Sequence, residues 1–279
     1  VELLCVELFQ AVGYDTRSRR ELGTRLRLGH ALDRSVDGTS RRCQRRGAEH
    51  RHQSRRHPRP CERDHLCCHR TLRVHLMQVM VPEVEARAST TPLWPTHARL
   101  RFVQALRVAL AQINSTVGDL PGNCALIASW ASRAAQEGAQ VVLFPEMAVT
   151  GYPVEDLALR PSFARASKQA LEELAITLDR SGCGDTVVVV GYLDRDQAGS
   201  RNSAAVLFGG AVLSRYDKHA LPTYRVFDEL RYFAPGSRLS ITEVNGFRLG
   251  VVVCEDIWQP GGPVPAYAAA GVDLLLCLN

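Results

Sequence analysis

Short apolar runs alternate with stretches of helical spacing along residues 106–193. A short apolar run bounded by turn residues is typical of a buried strand, and apolar residues that recur at helical spacing are typical of a helix with one buried face. On this basis, strands are predicted at residues 106–113, 141–144 and 186–193. Helices are predicted at residues 123–137, which end before Gly138, and in the segment that Pro161 opens.

The region that follows has the pattern of β-hairpins. Gly209–Gly210 and Asn245–Gly246 each separate two strand-like runs, and these residue types supply the positive φ that tight hairpin turns require. The hairpin strands are predicted at residues 202–208, 211–216, 239–244 and 247–253. A short helix at 264–270 and a last apolar strand at 272–278 complete the series.

This order of elements predicts the fold class. Strand–helix alternation followed by hairpins indicates an α/β layered fold with buried central strands. The chain ends at Asn279, directly after the last predicted strand, and a buried strand needs a neighbouring strand and covering helices that this sequence does not supply. We therefore expect residues 103–279 to form one domain, truncated at its C-terminal end.

Residues 17–73 differ from the rest of the chain, because Arg, His, Ser, Gln and Cys dominate them without helical or strand periodicity. Such a segment buries too little apolar surface to offset the entropy that it loses on ordering. Residues 1–100 are therefore expected to be a disordered, Arg-rich extension. Within it, only residues 1–11 have apolar periodicity, which suggests one short helix, and they lack the features of a secretion signal.

The charge distribution sharpens this contrast. Residues 1–100 hold 19 arginines, no lysine and 11 acidic residues, whereas residues 101–279 hold 15 basic and 18 acidic residues. Three interpretations of the extension stay open: a basic segment that neutralises nucleic-acid phosphates, a zinc site, and sequence that is not genuine protein. The zinc ligands would be Cys61, His65, Cys67, Cys68 and His69, whose spacing matches no common zinc pattern.

The third interpretation rests on the arginine bias. GC-rich DNA that is read in frame upstream of a start codon yields arginine without lysine, and Met77 and Met80 are the only methionines before residue 147. We therefore favour the hypothesis that residues 1–100 are not genuine coding sequence, and we expect no nucleic-acid partner. No membrane partner is expected either, because no apolar run approaches the ~20 residues of a transmembrane helix.

Three predicted strand ends carry reactive side chains, namely Glu146, Lys218 and Cys254. Functional sites tend to lie where the strands of such a sheet end. A thiol needs a base, and a carboxylate in a cleft of low dielectric constant has its pKa raised toward neutrality and can serve as that base. A cation beside them stabilises the anion that forms when a carbonyl is attacked. The three residues therefore suffice for hydrolysis of an amide through a thioester.

Each of these residues has a plainer interpretation when it is taken alone. An apolar-flanked cysteine such as Cys254 is more often an inert core residue. Glu146 alone could be a charge at a helix N-terminus, and Lys218 alone is typical of solvated surface. His219, the only histidine after residue 100, is interpreted as a loop residue without a catalytic role.

The sequence around the three residues resembles a known family. Residues 144–163 (FPEMAVTGYPVEDLALRPSF), 216–236 (YDKHALPTYRVFDELRYFAPG) and 254–279 (CEDIWQPGGPVPAYAAAGVDLLLCLN) are similar to the nitrilase, or carbon–nitrogen hydrolase, superfamily. More narrowly, they resemble the glutaminase domains of glutamine-dependent NAD synthetases. The resemblance implies a four-layer αββα sandwich and a homo-oligomer.

The resemblance also implies residue roles. Cys254 would be the nucleophile, Glu146 the general base and acid, and Lys218 the group that stabilises the oxyanion with the backbone N–H of Glu255. Glu229 matches a second carboxylate that supports the lysine. The positions that would help to hold the substrate are Tyr152, Tyr224 and Glu255.

The implied reaction is hydrolysis of the side-chain amide of glutamine. In the family, the released ammonia serves ATP-dependent amidation of nicotinic acid adenine dinucleotide to NAD. That second reaction uses ATP and Mg in a synthetase domain, and no Gly-rich phosphate loop for it occurs here; no cofactor or metal is expected in this chain. The alternative is a stand-alone nitrilase-type amidase that acts on a small amide. A catalytic thiol must stay reduced, so we expect the cytoplasm.

Overall fold

A computed structural model of the protein describes residues 2–6, 73–80 and 105–279, and for the first two of these ranges it describes the strand backbone. The Arg-rich residues 17–72, with most of the predicted extension and all five candidate zinc ligands, lie outside the described residues. The choice among the three interpretations of the extension therefore stays a prediction.

Strands and helices account for most of the described chain. The strands are β1 (Glu2–Val6), β2 (Arg73–Met80), β3 (Ala105–Gln112), β4 (Val141–Leu143), β5 (Val187–Asp196), β6 (Gly199–Phe208), β7 (Ala211–Asp217), β8 (Ile241–Val244), β9 (Phe247–Val253) and β10 (Leu274–Leu278). The α-helices are α1 (Leu120–Gln136), α2 (Pro161–Leu178) and α3 (Val264–Ala269). Further helical turns are Glu155–Leu159, Asp179–Cys183, Glu229–Arg231 and Cys254–Ile257. Among these described helices, none has the length and apolar character that crossing a bilayer requires.

The described strands form two mixed sheets. In the larger sheet the order is β2-β3-β4-β5-β6-β7, with β3, β4 and β5 mutually parallel and the remaining pairs antiparallel. In the smaller sheet the order is β1-β10-β9-β8, with β8 antiparallel to its neighbour. The central parallel strands β4 and β10 are fully apolar and buried along their whole length, which is typical of strands buried on both faces.

The two faces of the larger sheet belong to different cores. Val141 and Leu143 of β4 join the core shared with the smaller sheet, whereas Val142 joins the core under the helices. This alternation follows from the strand geometry, in which successive side chains point to opposite faces. On the helix side, Ile127 of α1 and Leu171 of α2 are buried against the sheet.

The outer face of the smaller sheet is covered by α3. The side chains of Tyr267 (α3) and Leu275 (β10) pack closely against Gly250 of β9. A Cβ at Gly250 would come within 2.8 Å of both of them. The Tyr267 hydroxyl donates a hydrogen bond to the Val251 carbonyl at 2.5 Å and accepts one from the Ser240 N–H at 3.1 Å. Helices, two sheets and a further helix therefore form the four layers of an αββα sandwich.

The predicted hairpins, strands and helices between residues 106 and 278 are confirmed, with shifts of a few residues at their ends. The prediction of a short helix at the start of the chain is wrong, because Glu2–Val6 is a strand. The expectation that the last strand lacks a partner is also wrong, since β10 lies between β9 and β1. Apolar periodicity in so short a segment does not separate helix from strand, and only pairing with the distant β10 decides between them.

The packing of α2 provides a direct test of the core. Leu174 faces the sheet and is 2% exposed, whereas Ile176, on the same helix, is 45% exposed. Leu174→Ala should lower the free energy of unfolding by about 2–5 kcal/mol, because it removes buried methyl groups and leaves a cavity. Ile176→Ala should change it by no more than about 0.5 kcal/mol. Equal losses in urea unfolding followed by circular dichroism would contradict this placement of α2.

Candidate active site

Glu146 directly follows Pro145, shortly after strand β4 ends at Leu143, and it is buried. It does not begin a helix, so its interpretation as a helix N-terminal charge is wrong. Its Oε1 accepts hydrogen bonds from Lys218 Nζ at 2.8 Å and from Asn202 Nδ2 at 2.5 Å. The carboxylate is therefore held by two donors in the interior of the protein.

Lys218 follows the last residue of β7, and its side chain is 1% exposed. Its ammonium nitrogen also lies 3.0 Å from Oε1 and 2.9 Å from Oε2 of Glu229. Burial by itself lowers the pKa of a lysine, but the negative charges of Glu146 and Glu229 outweigh it and raise the pKa of Lys218 above its usual range. The lysine is thus a buried, permanent cation between two carboxyl groups, and its interpretation as solvated surface is wrong.

Glu229 begins a short helical turn and is buried. Burial and the charge of Glu146 raise its pKa to about 7, against the opposing influence of Lys218. The Tyr152 hydroxyl donates to Glu229 Oε1 at 3.2 Å. Because one lysine serves two carboxyl groups, the site disfavours ionisation of both, and Glu229 holds a proton more readily than a free glutamate does.

Cys254 is the first residue after β9 and the start of a turn of helix, with φ of 44°. A positive φ is uncommon for a residue other than glycine and is concentrated at functional sites. Burial and the charge of Glu146 raise the pKa of its thiol, while Lys218 lowers it. The thiol is therefore within electrostatic range of the lysine and the carboxylate, and Cys254 is a free cysteine. Without a base this cysteine stays protonated.

A second group of side chains lies next to Cys254. Glu255 is buried, and its carboxylate accepts a hydrogen bond from the Tyr224 hydroxyl at 2.7 Å and one from Gln259 Nε2. The hydrogen bond to Glu255 and its charge raise the pKa of Tyr224, which is half exposed. The structure therefore divides the predicted substrate-binding residues: Tyr224 and Glu255 form one pair, whereas Tyr152 lies against Glu229.

Asp256 is a residue that the sequence analysis missed. Its buried carboxylate accepts four hydrogen bonds: Oδ1 from the N–H groups of His219 (3.0 Å) and Ala220 (2.8 Å), and Oδ2 from the Tyr216 hydroxyl (2.7 Å) and the Val253 N–H (3.0 Å). These donors lie on both sides of the lysine and directly before the cysteine. Asp256 thus connects the two segments that carry them. An Asp two positions after a strand-terminal Cys was the available signal.

Asn202 of β6 is the second missed residue. In addition to its side-chain bond to Glu146, its backbone carbonyl accepts the N–H of Lys218 at 2.9 Å. A polar residue at the start of an apolar hairpin strand has no distinctive pattern in the sequence, so nothing there marked it.

Gly191 of β5 supports the segment that carries Glu146. A Cβ at Gly191 would lie 2.3 Å from Met147 N, 2.6 Å from Pro145 O and 2.8 Å from Glu146 C. The Gly191 carbonyl also accepts the N–H of Val149 at 3.0 Å. Only a residue without a side chain lets the backbone before and after Glu146 approach β5 this closely.

The arrangement defines a class of chemistry. A partly buried thiol, a buried carboxylate and a buried ammonium group at strand ends can attack a carbonyl, stabilise the oxyanion and move the proton. Among the residues that the structure describes, no cluster of His, Cys, Asp or Glu is placed to hold a metal ion. Fold and site together are those of a nitrilase-type hydrolase.

The comparison with protein families agrees with this class. The family model for carbon–nitrogen hydrolases matches residues 107–279. The chain therefore belongs to the carbon–nitrogen hydrolase family and is an enzyme of that family.

Similar proteins narrow the comparison further. The glutamine-dependent NAD(+) synthetase of Acinetobacter baylyi is 38% identical over 178 residues, which cover 63% of this chain and 32% of the relative. That of Thermotoga maritima is 39% identical over 178 residues, 63% of this chain and 30% of the relative. The chain thus spans about a third of the length of these curated relatives.

Solved structures show the same fold. The glutamine-dependent NAD+ synthetase of Acinetobacter baumannii in complex with ADP matches with a TM-score of 0.56 and 38% identity, over 62% of this chain and 32% of that one. An amidase of the nitrilase superfamily from Nesterenkonia matches with a TM-score of 0.53 and 27% identity, over 62% of this chain and 64% of that one.

The close approach at Gly191 generates a prediction. Gly191→Ala should displace the backbone around Glu146 and lower amide hydrolysis by about 100-fold, the scale of losing a positioned general base. Gly209→Ala is the matched control for the loss of a glycine, since a Cβ there meets nothing within 4 Å, although its φ of 56° makes the turn less favourable. Steady-state rates of ammonia release compare the two, and an unchanged rate for Gly191→Ala would contradict the packing argument.

The pKa of Glu229 generates a second prediction. An acid whose pKa rises from 4.5 to about 7 on folding holds a proton that the unfolded chain has released, so stability from this group falls as pH rises through that range. Glu229→Gln cannot ionise and should flatten the decline in unfolding free energy between about pH 5 and about pH 8. Glu243→Gln, at an exposed glutamate of β8, should leave the decline as it is. An unaltered slope in Glu229→Gln would exclude this protonation.

Proposed function

We propose that this domain hydrolyses the side-chain amide of glutamine through a thioester on Cys254 and releases ammonia for the synthesis of NAD. The observation that carries the proposal is the buried Lys218, which is held between Glu146 and Glu229 and lies within electrostatic range of the Cys254 thiol. The 38–39% identity to glutamine-dependent NAD(+) synthetases supports the choice of substrate.

In the first half of the reaction, Glu146 takes the proton of the Cys254 thiol as the sulfur attacks the amide carbon. The raised pKa of the thiol makes this base necessary, because little thiolate forms without it. The electrons of the carbonyl bond move to the oxygen, and a tetrahedral oxyanion forms. Protonated Glu146 then gives its proton to the amide nitrogen, which leaves as ammonia and makes the thioester.

In the second half, Glu146 removes a proton from a water molecule that attacks the thioester carbon. The carbon–sulfur bond breaks, the thiolate regains its proton from Glu146, and glutamate is released. The same carboxyl group therefore acts first as base and then as acid in each half.

Lys218 is suited to the oxyanion because of its hydrogen-bonding capacity. An ammonium group has three N–H donors, and the two carboxyl groups beside it leave one for the developing negative charge. The backbone N–H of Glu255, directly after the nucleophile, is the proposed second donor. Because the lysine is buried, its charge acts at low dielectric constant, where such stabilisation is strongest.

Substrate recognition is proposed to use the pair beside the nucleophile. The α-ammonium group of glutamine is a cation, and the buried carboxylate of Glu255 offers it a negative partner. Tyr224, half exposed and bonded to that carboxylate, is the proposed neighbouring contact for the substrate. Tyr152 contributes through Glu229, whose position its hydroxyl fixes.

The use of the ammonia belongs to the same proposal. In this proposal, amidation of nicotinic acid adenine dinucleotide with ATP and Mg²⁺ takes place in a synthetase domain outside these 279 residues. The coverage of about a third of each relative leaves room for such a domain in the relatives. A glutaminase assembled with it would deliver ammonia without exposing it to solvent.

A small-amide hydrolase is the second candidate. The similarity to the Nesterenkonia amidase, of which this chain covers 64%, favours it. The two candidates share the catalytic chemistry and differ in the partner for the α-ammonium group. Faster ammonia release from propionamide than from glutamine would select the amidase.

Substitution of the nucleophile tests both candidates. Cys254→Ala in the full chain should lower ammonia release from glutamine at least ~1,000-fold, since the thioester cannot form. Cys124→Ala, which removes a free thiol on α1, should retain the wild-type rate. Glu146→Gln should lower the rate of ammonia release at least ~100-fold, the scale of general-base removal. Retained turnover in Cys254→Ala would refute Cys254 as the nucleophile. Detection by mass spectrometry of a glutamyl group bound to Cys254 would support it.

A further inference from the structure

Asn202 contacts both the proposed base, Glu146, and the proposed oxyanion donor, Lys218. Its side chain is 1% exposed, its Nδ2 donates to Glu146 Oε1, and its backbone carbonyl accepts the N–H of Lys218. One residue of β6 therefore contacts both members of the pair, the first through its side chain and the second through its backbone.

The side-chain bond selects one oxygen of the carboxylate. Lys218 Nζ and Asn202 Nδ2 both approach Oε1, at 2.8 Å and 2.5 Å. An oxygen that accepts two strong donors is the less basic of the two, so the proton from the thiol goes to Oε2. The amide thus fixes which oxygen acts as the base.

The orientation of the Asn202 amide supports the inference that Oε2 of Glu146 acts as the base. An ionised carboxylate only accepts hydrogen bonds, so the NH₂ group must face it. In that orientation Asn202 Oδ1 is buried, and it has no hydrogen-bond partner among the residues that the structure describes. A buried polar atom without a partner is unfavourable, and the bond to Glu146 is what retains the asparagine here.

We propose that Asn202 is a positioning residue that holds the Glu146 carboxylate by its Oε1 and leaves Oε2 to take the proton of the Cys254 thiol. This inference rests on the proposed function, because it assumes that Glu146 is the base. Asn202 touches no reacting atom and acts through the carboxylate. A merely structural asparagine would affect stability without changing the pH at which the base becomes active.

The test measures the reactivity of Cys254 toward iodoacetamide in the full chain, without any substrate. The rate constant of alkylation at this cysteine, followed by peptide mass spectrometry, is recorded against pH for wild type and Asn202→Leu. Loss of the donor removes a hydrogen bond that the carboxylate accepts, so the midpoint of the acid limb of the alkylation rate should move to higher pH by about one unit. The plateau rate should fall about 10-fold or more.

Two further variants make the result decisive. Ser203→Ala removes a hydroxyl that bonds Asp217 from the neighbouring position of β6, and it should leave the pH profile of wild type unchanged. Asn202→Ser, whose shorter side chain cannot reach Glu146, should show the same shift if Asn202→Leu does not fold. Near-ultraviolet circular dichroism confirms folding of each variant.

The outcomes separate the two proposals. In one outcome, the wild-type rate falls at low pH as a base requires, and the profiles of Asn202→Leu and Asn202→Ser superimpose on it. That result would overturn the role of Asn202 and leave Glu146 as the base. A wild-type thiol that reacts only as an ordinary cysteine, with its rate rising above about pH 8, would overturn both Glu146 as base and Asn202 as its positioning residue.

Discussion

One buried cation between two carboxyl groups is the constraint on which the site depends. Removing Lys218 from water is costly, and the ion pairs with Glu146 and Glu229 compensate only if all three groups are held in place. The cluster also carries more potential negative charge than positive, which the raised pKa of Glu229 reflects. Such an arrangement is poor evidence for stability, and its retention is better explained by the chemistry that it permits.

The sandwich supplies the required rigidity. Glu146 comes from the larger sheet after β4 and Lys218 from the same sheet after β7, whereas Cys254 comes from the smaller sheet after β9. The apolar core between the sheets fixes the distance between these strand ends, because close-packed interiors deform little. The catalytic geometry is therefore a property of how the two sheets pack, and the helices outside them act through that packing.

Much of this arrangement was predictable from local patterns. The apolar runs around Val142, Val189 and Val252 identify buried strands, and reactive residues directly after such runs identify the site edge. Asn202 and Asp256 escaped prediction, because their importance comes from partners far away in the sequence. The strand Glu2–Val6 escaped for the same reason: its hydrogen-bonding partner β10 lies at the opposite end of the chain.

The four hydrogen bonds on Asp256 have a consequence for how the protein opens. The amides of His219, Ala220 and Val253 donate to one buried carboxylate, which links the segment after Lys218 to the turn that begins at Cys254. We expect the amides of these two segments to exchange together rather than separately. Partial opening would then displace the proposed nucleophile and the proposed oxyanion donor together, so that no open state presents the sulfur without the lysine.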